Sequence, residues 1–269
     1  MRCTYPQTSL VQQLLPALAL LTALICAPLS ICAQETAMDT PPAAPPQPAP
    51  LAPAFQPTHE DMGDSLLFHR RYQEAIDQYK QAPPGSPDLW NKMGIAYQML
   101  SDLNDAARCY QQSLRLRPDH PLTLNNLGTV FDLLGFYGKA EAFYRRALEL
   151  NPKSARIAMN LGTNLMIQAR YSQGSAMYQR ALALDPAAFD QAAGPNATSG
   201  VPLQQRGAMN YYKARNCAQA GMNDRAIAYL KMSLDEGFTT PSKIAKDSTF
   251  SALRSNPAFQ QLLAEQDSN

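Results

Sequence analysis

Along residues 87–188, large apolar side chains stand four before and three after a recurring glycine: Trp90 and Tyr97 about Gly94, Leu124 and Phe131 about Gly128, and more weakly Ala158 and Leu165 about Gly162. A spacing of two helical turns predicts amphipathic helices with the glycine on the packed face. The pattern keeps phase over a long distance. Gly94, Gly128 and Gly162 are 34 residues apart, and so are Tyr110, Tyr144 and Tyr178, and Pro118, Pro152 and Pro186. Three landmarks in one phase predict three successive copies of one unit, each a pair of antiparallel helices. Small residues let the two backbones approach, large ones fill the flanks, and a proline after the second helix stops it.

Within this period, with the glycines at position 8, unit 87–120 carries Trp90, Met93, Gly94, Tyr97, Ala106, Tyr110, Ser113 and Pro118. Unit 121–154 carries Leu124, Leu127, Gly128, Phe131, Ala140, Tyr144, Ala147 and Pro152. Unit 155–188 keeps Leu161, Gly162, Leu165, Tyr178, Ala181 and Pro186, with Ala158 and Gly174 as departures that predict a looser repeat. These residues resemble the tetratricopeptide repeat (TPR), whose period is 34. The resemblance implies an all-α TPR solenoid of about five helix-turn-helix repeats.

An earlier unit, 56–86, is in phase through Met62, Gly63, Leu66, Ala75, Tyr79 and Ala82, but Gly63 and Gly94 are only 31 residues apart. Its second helix is predicted to be short, stopped by Pro83-Pro84-Gly85. A degenerate fifth unit, 207–240, is recognised by Ala214, Ala226, Leu230 and Ser233. It fits once an inserted loop, 189–206, is allowed for, and that loop's last residues, Leu203 to Arg206, are candidates to open the next helix. The tail, 241–269, carries Phe250, Leu253, Phe259, Leu262 and Leu263 and is predicted to form capping helices, because the last repeat of a solenoid otherwise exposes an apolar face. The fifth unit with this tail is similar to the C-terminal part of exported bacterial TPR proteins, notably acidobacterial ones.

Composition changes this picture mainly at the N-terminus. Met1-Arg2, the apolar run Leu14 to Ala27 and Ala33 predict a signal peptide over 1–33. A lipidated Cys32 is disfavoured by the bulk of Ile31, and an uncleaved anchor by Pro16, Thr22, Pro28 and Ser30. Residues 34–55 are rich in Pro and Ala and read as a disordered, semi-rigid tether. Export to the periplasm or cell envelope, or secretion, follows as an expectation, with membrane attachment only through a retained leader. Cys3, Cys26 and Cys32 fall in the leader, which leaves Cys109 and Cys217, on helices three repeats apart and too distant for a disulfide. The charge balance, 23 Lys and Arg against 22 Asp and Glu, argues against a nucleic-acid surface.

Candidate chemistry is sparse. The three histidines, at 59, 69 and 120, have no metal-ligand spacing, and no phosphate loop, nucleophile elbow or paired-carboxylate motif stands out. No enzyme, metal or cofactor is expected. His120 reads as a turn residue, His59 as a packing residue, and Asn196-Ala197-Thr198 as a chance glycosylation triplet.

The resemblance implies a concave face lined by positions 2, 5, 6, 9, 12 and 13 of each first helix. The candidates are Asn91, Lys92, Ile95, Asn125, Asn126, Thr129, Arg156, Met159, Asn160 and Thr163, with Gln98, Met99, Asp132, Leu133, Met166 and Ile167 beside them. Asn126 and Asn160 recur at one position and resemble a ladder that holds a peptide's main chain. A clamp for a peptide carboxylate is suggested by Lys92, Asn126 and Arg156, but Ile95 stands where a second Asn is wanted. The function expected is a non-catalytic scaffold binding a protein or peptide in this groove. The alternative is a subunit of an envelope assembly that joins its neighbours by its edges or convex face.

Overall fold

The computed structural model describes residues 56–190 and 201–267. The predicted leader, the tether 34–55, the centre of the insert with Asn196, and the last two residues lie outside the described residues. Among these, every regular element is helical: α1 (His59–Phe68), α2 (Tyr72–Tyr79), α3 (Pro87–Met99), α4 (Leu103–Leu116), α5 (Pro121–Leu133), α6 (Tyr137–Leu150), α7 (Ala155–Ile167), α8 (Tyr171–Leu184), α9 (Leu203–Gln219) and α10 (Asn223–Asp235). A cap follows, made of α11 (Pro241–Lys246), a 3-10 turn (Ser248–Leu253) and α12 (Pro257–Asp267). Each odd helix packs on the next even one, and each pair on its successor, which is the layout of a solenoid.

Local chemistry sets the helix ends. Thr58, Ser86, Ser154 and Thr240 accept the backbone N–H three residues on, and Pro87, Pro121 and Pro241 occupy first-turn positions where no N–H is needed. In every repeat the turn between the paired helices passes through one left-handed residue at the same register: Arg70, Ser101, Gly135, Ala169 and Gly221. Only two are glycine, so the other three adopt a backbone conformation unfavourable for a side chain with Cβ.

Inside each of the first four pairs, the ring of the tyrosine of the second helix packs against the glycine of the first. A methyl group on Gly63, Gly94, Gly128 or Gly162 would come within 2.5, 2.6, 2.8 or 2.6 Å of the ring of Tyr79, Tyr110, Tyr144 or Tyr178. The glycine is therefore the seat of a buried aromatic ring, and the tyrosines are among the largest fully buried side chains.

The fourth repeat is not loose. Ten of the thirteen residues of α7 are buried, and a Cβ on Gly174 would lie 2.9 Å from the carbonyl oxygen of Gly162. Gly174 occupies the small-residue position held by Ala106 and Ala140 in the repeats before it, so the two glycines mark a closer backbone approach of α7 and α8. The first repeat has the short second helix expected, with 8 residues in α2 against 14 in α4.

Helix α9 starts at Leu203, so Leu203 to Arg206, the last residues of the segment 189–206, open the next helix. One feature of the C-terminal half departs from the sequence reading: the insert's first residue, Phe189, is buried edge-on to Tyr178 and Tyr229 at 5.3 and 5.9 Å between ring centroids. An aromatic ring so placed is part of the packing between repeats, not of a free loop. The tail does cover the last pair: Phe250, Leu253, Phe259 and Leu262 are buried, the 3-10 turn packs on α9 and α12 on α10. Cys109 and Cys217 are buried free thiols, and burial pushes both up to about 11. No described helix is long and apolar enough to cross a membrane.

Candidate functional site

The first helices α1, α3, α5 and α7 lie in succession, and polar side chains bridge each gap by one rule. The residue at position 6 donates back to position 5 of the preceding helix. Lys92 Nζ reaches Glu60 Oε1 at 3.0 Å and also Asp64 Oδ2 at 2.6 Å; Asn126 Nδ2 reaches Asn91 Oδ1 at 3.2 Å; Asn160 Nδ2 reaches Asn125 Oδ1 at 2.9 Å. Burial works against the charge on Lys92, but the Asp64 and Glu60 carboxylates outweigh it and hold its pKa above the usual value. Asn91 takes a further bond from Thr123 Oγ1 at 3.0 Å, and Thr123 meets Ser113 and the His120 ring.

These rungs change the reading of the predicted groove. Asn91, Asn125, Asn160 and Met159 are buried between helices and do not present open groove surface. Asn126 and Asn160 do recur as donors, but their bonds join repeat to repeat. Neighbouring first helices pack so closely that positions 5 and 6 face each other, and a buried amide left without a partner would cost about 1–3 kcal/mol. Asn126 remains half-buried beside Asn91, and Ile95 is half-buried against the core around Leu127 and Val130. Lys92 is tied up by two carboxylates and Arg156 stands exposed, so the elements of a carboxylate clamp are not assembled. His59 is exposed, with its ring on Gln78 Oε1 at 2.8 Å, and is no packing residue.

A second set of groups converges on this face, the tyrosine hydroxyls, which the sequence reading did not count among the groove residues. Each buried tyrosine passes over its glycine and delivers its hydroxyl to positions 9 and 12 of the first helix. Tyr79 Oη donates to Asp64 at 2.8 Å, Tyr110 Oη to Gln98 at 2.9 Å, and Tyr144 Oη to Asp132 at 2.9 Å with Thr129 at 3.2 Å; Tyr178 Oη shares a bond with Thr163 at 3.1 Å. The signal was present, since the tyrosine keeps the same period as the glycine and a buried phenol needs a partner.

Between the third and fourth repeats these groups enclose a recess of about 30 Å³, lined by Thr129, Asp132, Leu133, Tyr144, Asn160, Thr163 and Ile167. That is room for about one water molecule. Asp132 also accepts from Asn164 Nδ2 at 2.6 Å. Burial pushes its carboxyl up to about 6, although the bonds from Asn164 and Tyr144 favour the charged form. The recess offers hydrogen bonds and one carboxyl that titrates near neutrality. No group of three or more His, Cys, Asp or Glu among the described residues could hold a metal ion.

Residues 86–153 match the family model described as Tetratricopeptide repeat. A curated relative, the protein O-mannosyl-transferase TMTC2 of Mus musculus, is 40% identical over 62 residues, and the match covers 20% of this chain and only 7% of that protein. Among solved structures, MamA superposes with a TM-score of 0.47 at 20% identity, covering 70% of this chain and 98% of its own. YrrB, described as a TPR protein with an unusual peptide-binding site, superposes at 0.46 with 16% identity, covering 66% and 84%. Residues 86–153 thus match the tetratricopeptide repeat over two helix pairs, and the described residues as a whole form an α-solenoid of helix pairs closed by a helical cap.

Proposed function

We propose that this protein is a non-catalytic scaffold, exported to the cell envelope, that binds an extended polypeptide segment along the face formed by α1, α3, α5 and α7. One observation carries the reading: tyrosine hydroxyls and their partners at positions 9 and 12 recur once per repeat on that face. Packed helices are about 8–10 Å apart and an extended chain advances about 3.3 Å per residue, so one repeat meets roughly three residues of peptide. A line of donors and acceptors at that interval suits main-chain recognition, with Arg156, Thr129, Asp132 and Thr163 as the contact residues. Export rests on the leader-like first 33 residues. The family is one of scaffolds, and the reading assigns no reaction to this chain.

The test is to pan a random peptide library against the protein and measure the selected peptides on variants. Arg156→Ala and Thr163→Val should weaken binding at least fivefold, whereas Arg145→Ala, on the second-helix layer, should leave it unchanged. Expression with and without residues 1–33, followed by cell fractionation, tests export; retention of the full chain in the cytoplasm would remove that part.

A second reading has an observation of its own. Phe68, Met99 and Phe136, at or just beyond the ends of first helices, are 83, 50 and 51% exposed. Apolar groups along one edge suit side-by-side assembly. If Phe68→Ser and Met99→Ser abolish partner binding while Arg156→Ala and Thr163→Val do not, the edge replaces the groove.

A further inference from the structure

The short second helix of the first repeat leaves space that the other repeats fill. In repeats two to four the second helix runs on through Leu114, Leu148 and Leu182, which pack into the core; the same register in the first repeat falls on Pro83, which is exposed. Behind Pro83-Pro84-Gly85 a cleft of about 580 Å³ opens between α2, α3 and α4. Its floor is formed by Ala82, Leu89, Trp90, Met93, Tyr97 and Cys109. Trp90 is held in place by its indole N–H, which donates to the Pro84 carbonyl at 2.8 Å. None of the lining residues is one of the predicted groove positions, and the cleft takes the opposite sides of α3 from Asn91, Lys92 and Ile95.

The rim is charged, and unevenly so. Lys80, Arg108 and Arg115 face a single carboxylate, Asp105, which Arg108 engages at 2.9 Å. Lys80 lies over the Tyr97 ring at 5.9 Å and Arg115 donates to the Gln112 side chain at 3.2 Å; neither has an ion-pair partner among the described residues. An apolar, aromatic-lined floor beneath two uncompensated cations is complementary to a molecule with an apolar body and an anionic end. The volume falls in the range of about 300–1,000 Å³ usual for small-molecule sites, and the cleft is confined to one junction between repeats, so a compact ligand fits it better than a length of polypeptide.

We propose that this cleft is a binding site for a small amphiphilic carboxylate, its apolar chain laid against Trp90, Met93 and Tyr97 and its carboxylate held at the cationic rim to which Lys80 and Arg115 contribute. The proposal is independent of the groove. Apolar burial supplies the larger share of the binding and the charged rim the preference for an acid over a neutral analogue.

The chain's one tryptophan lines the site and serves as the reporter. Titration of the full chain with decanoate below its micelle threshold should shift and change Trp90 emission in a saturable way, and decanol should bind more weakly. The exposed-rim double variant Lys80→Glu/Arg115→Glu, which should leave the far-ultraviolet circular dichroism unchanged, should lose decanoate affinity at least tenfold while keeping decanol binding. Ala82→Phe, which narrows the floor, should weaken both. No saturable change in Trp90 emission, or decanoate binding equal in the wild type and the charge-reversed variant, overturns the proposal. Displacement of decanoate by an unrelated apolar peptide at a similar concentration would also overturn it, since the site would then be an exposed hydrophobic patch for peptide side chains.

Discussion

The first four repeats and the fifth solve the same packing problem with different residue pairs. In repeats one to four a glycine faces a tyrosine; in the fifth both change, and Ala214 faces Leu230, each fully buried. A methyl on the glycine would collide with the phenol ring, whereas a methyl opposite a branched aliphatic chain is ordinary packing. The pair is thus one unit of design, and exchanging it has a consequence outside the core. Leucine carries no hydroxyl, so the fifth repeat contributes none to the face where Tyr79, Tyr110, Tyr144 and Tyr178 place theirs. Its first helix turns to the cap instead: Tyr211 Oη donates to Asp247 at 2.6 Å and Arg215 lies 3.3 Å from the same carboxylate. The polar face ends at the fourth repeat, and the fifth serves to close the array.

The largest expected effect tests that closing role. Ending the chain after Thr240 removes Phe250, Leu253, Phe259 and Leu262 from α9 and α10. Burial of each such side chain is worth about 1.5–3 kcal/mol against a total stability of about 5–15 kcal/mol. Hydrogen exchange should show α9 and α10 losing protection while α3 to α8 keep most of theirs. Unchanged protection of α9 and α10 would make the tail an appendage.

A smaller effect should arise from Asp132 in the tyrosine-dressed face. Its carboxyl is raised in the folded chain to about 6, above the unfolded value of about 3.9. The stability this group contributes is fully present below the unfolded value, when it is protonated in both states, and is lost as pH rises through about 6. Asp132→Asn removes that titration, so the variant should gain on the wild type between about pH 4 and pH 7, by about 1–2 kcal/mol once partial exposure is discounted. Thermal midpoints at the two pH values check it. A pH-independent difference would show that the carboxyl is already ionised throughout.

The smallest effect sharpens a different contrast. The left-handed turn residue is glycine in the third and fifth repeats but Arg70, Ser101 and Ala169 in the others. Ala169→Gly should stabilise by about 0.5–1 kcal/mol, since the cost of the left-handed conformation outweighs the added freedom of the unfolded chain. Gly135→Ala should destabilise by a similar amount. Calorimetry on the pair reads both signs.

Much of the fold was legible because its landmarks are steric. Glycine, tyrosine and proline at a fixed period mark where backbones approach and where helices stop, and three units follow from that phase; the short first unit, the degenerate fifth and the cap follow from partial matches and from the apolar residues of the tail. Gly174 was harder to read because helix propensity counts it as a defect, although its register is one where a side chain would obstruct α7. The site was less legible. The resemblance places Asn91, Asn125 and Asn160 on the face of the first helices, but whether such a residue is open or buried depends on how closely one first helix packs on the next, and a period contains no such information. The destination of the tyrosine hydroxyls is not legible for a related reason: the period shows where the ring packs, not which side of the helix pair its polar end reaches.

The claim that glycine and tyrosine act as one unit is tested most directly by a double-mutant cycle in the third repeat, measured as stability for wild type, Gly128→Ala, Tyr144→Leu and the double variant that copies the pair of the fifth repeat. Gly128→Ala alone should destabilise by about 1–3 kcal/mol through overpacking, and the same change in the Tyr144→Leu background should be close to neutral, leaving a coupling energy of about 1 kcal/mol or more. Additive effects, with Gly128→Ala equally harmful beside leucine, would contradict the account.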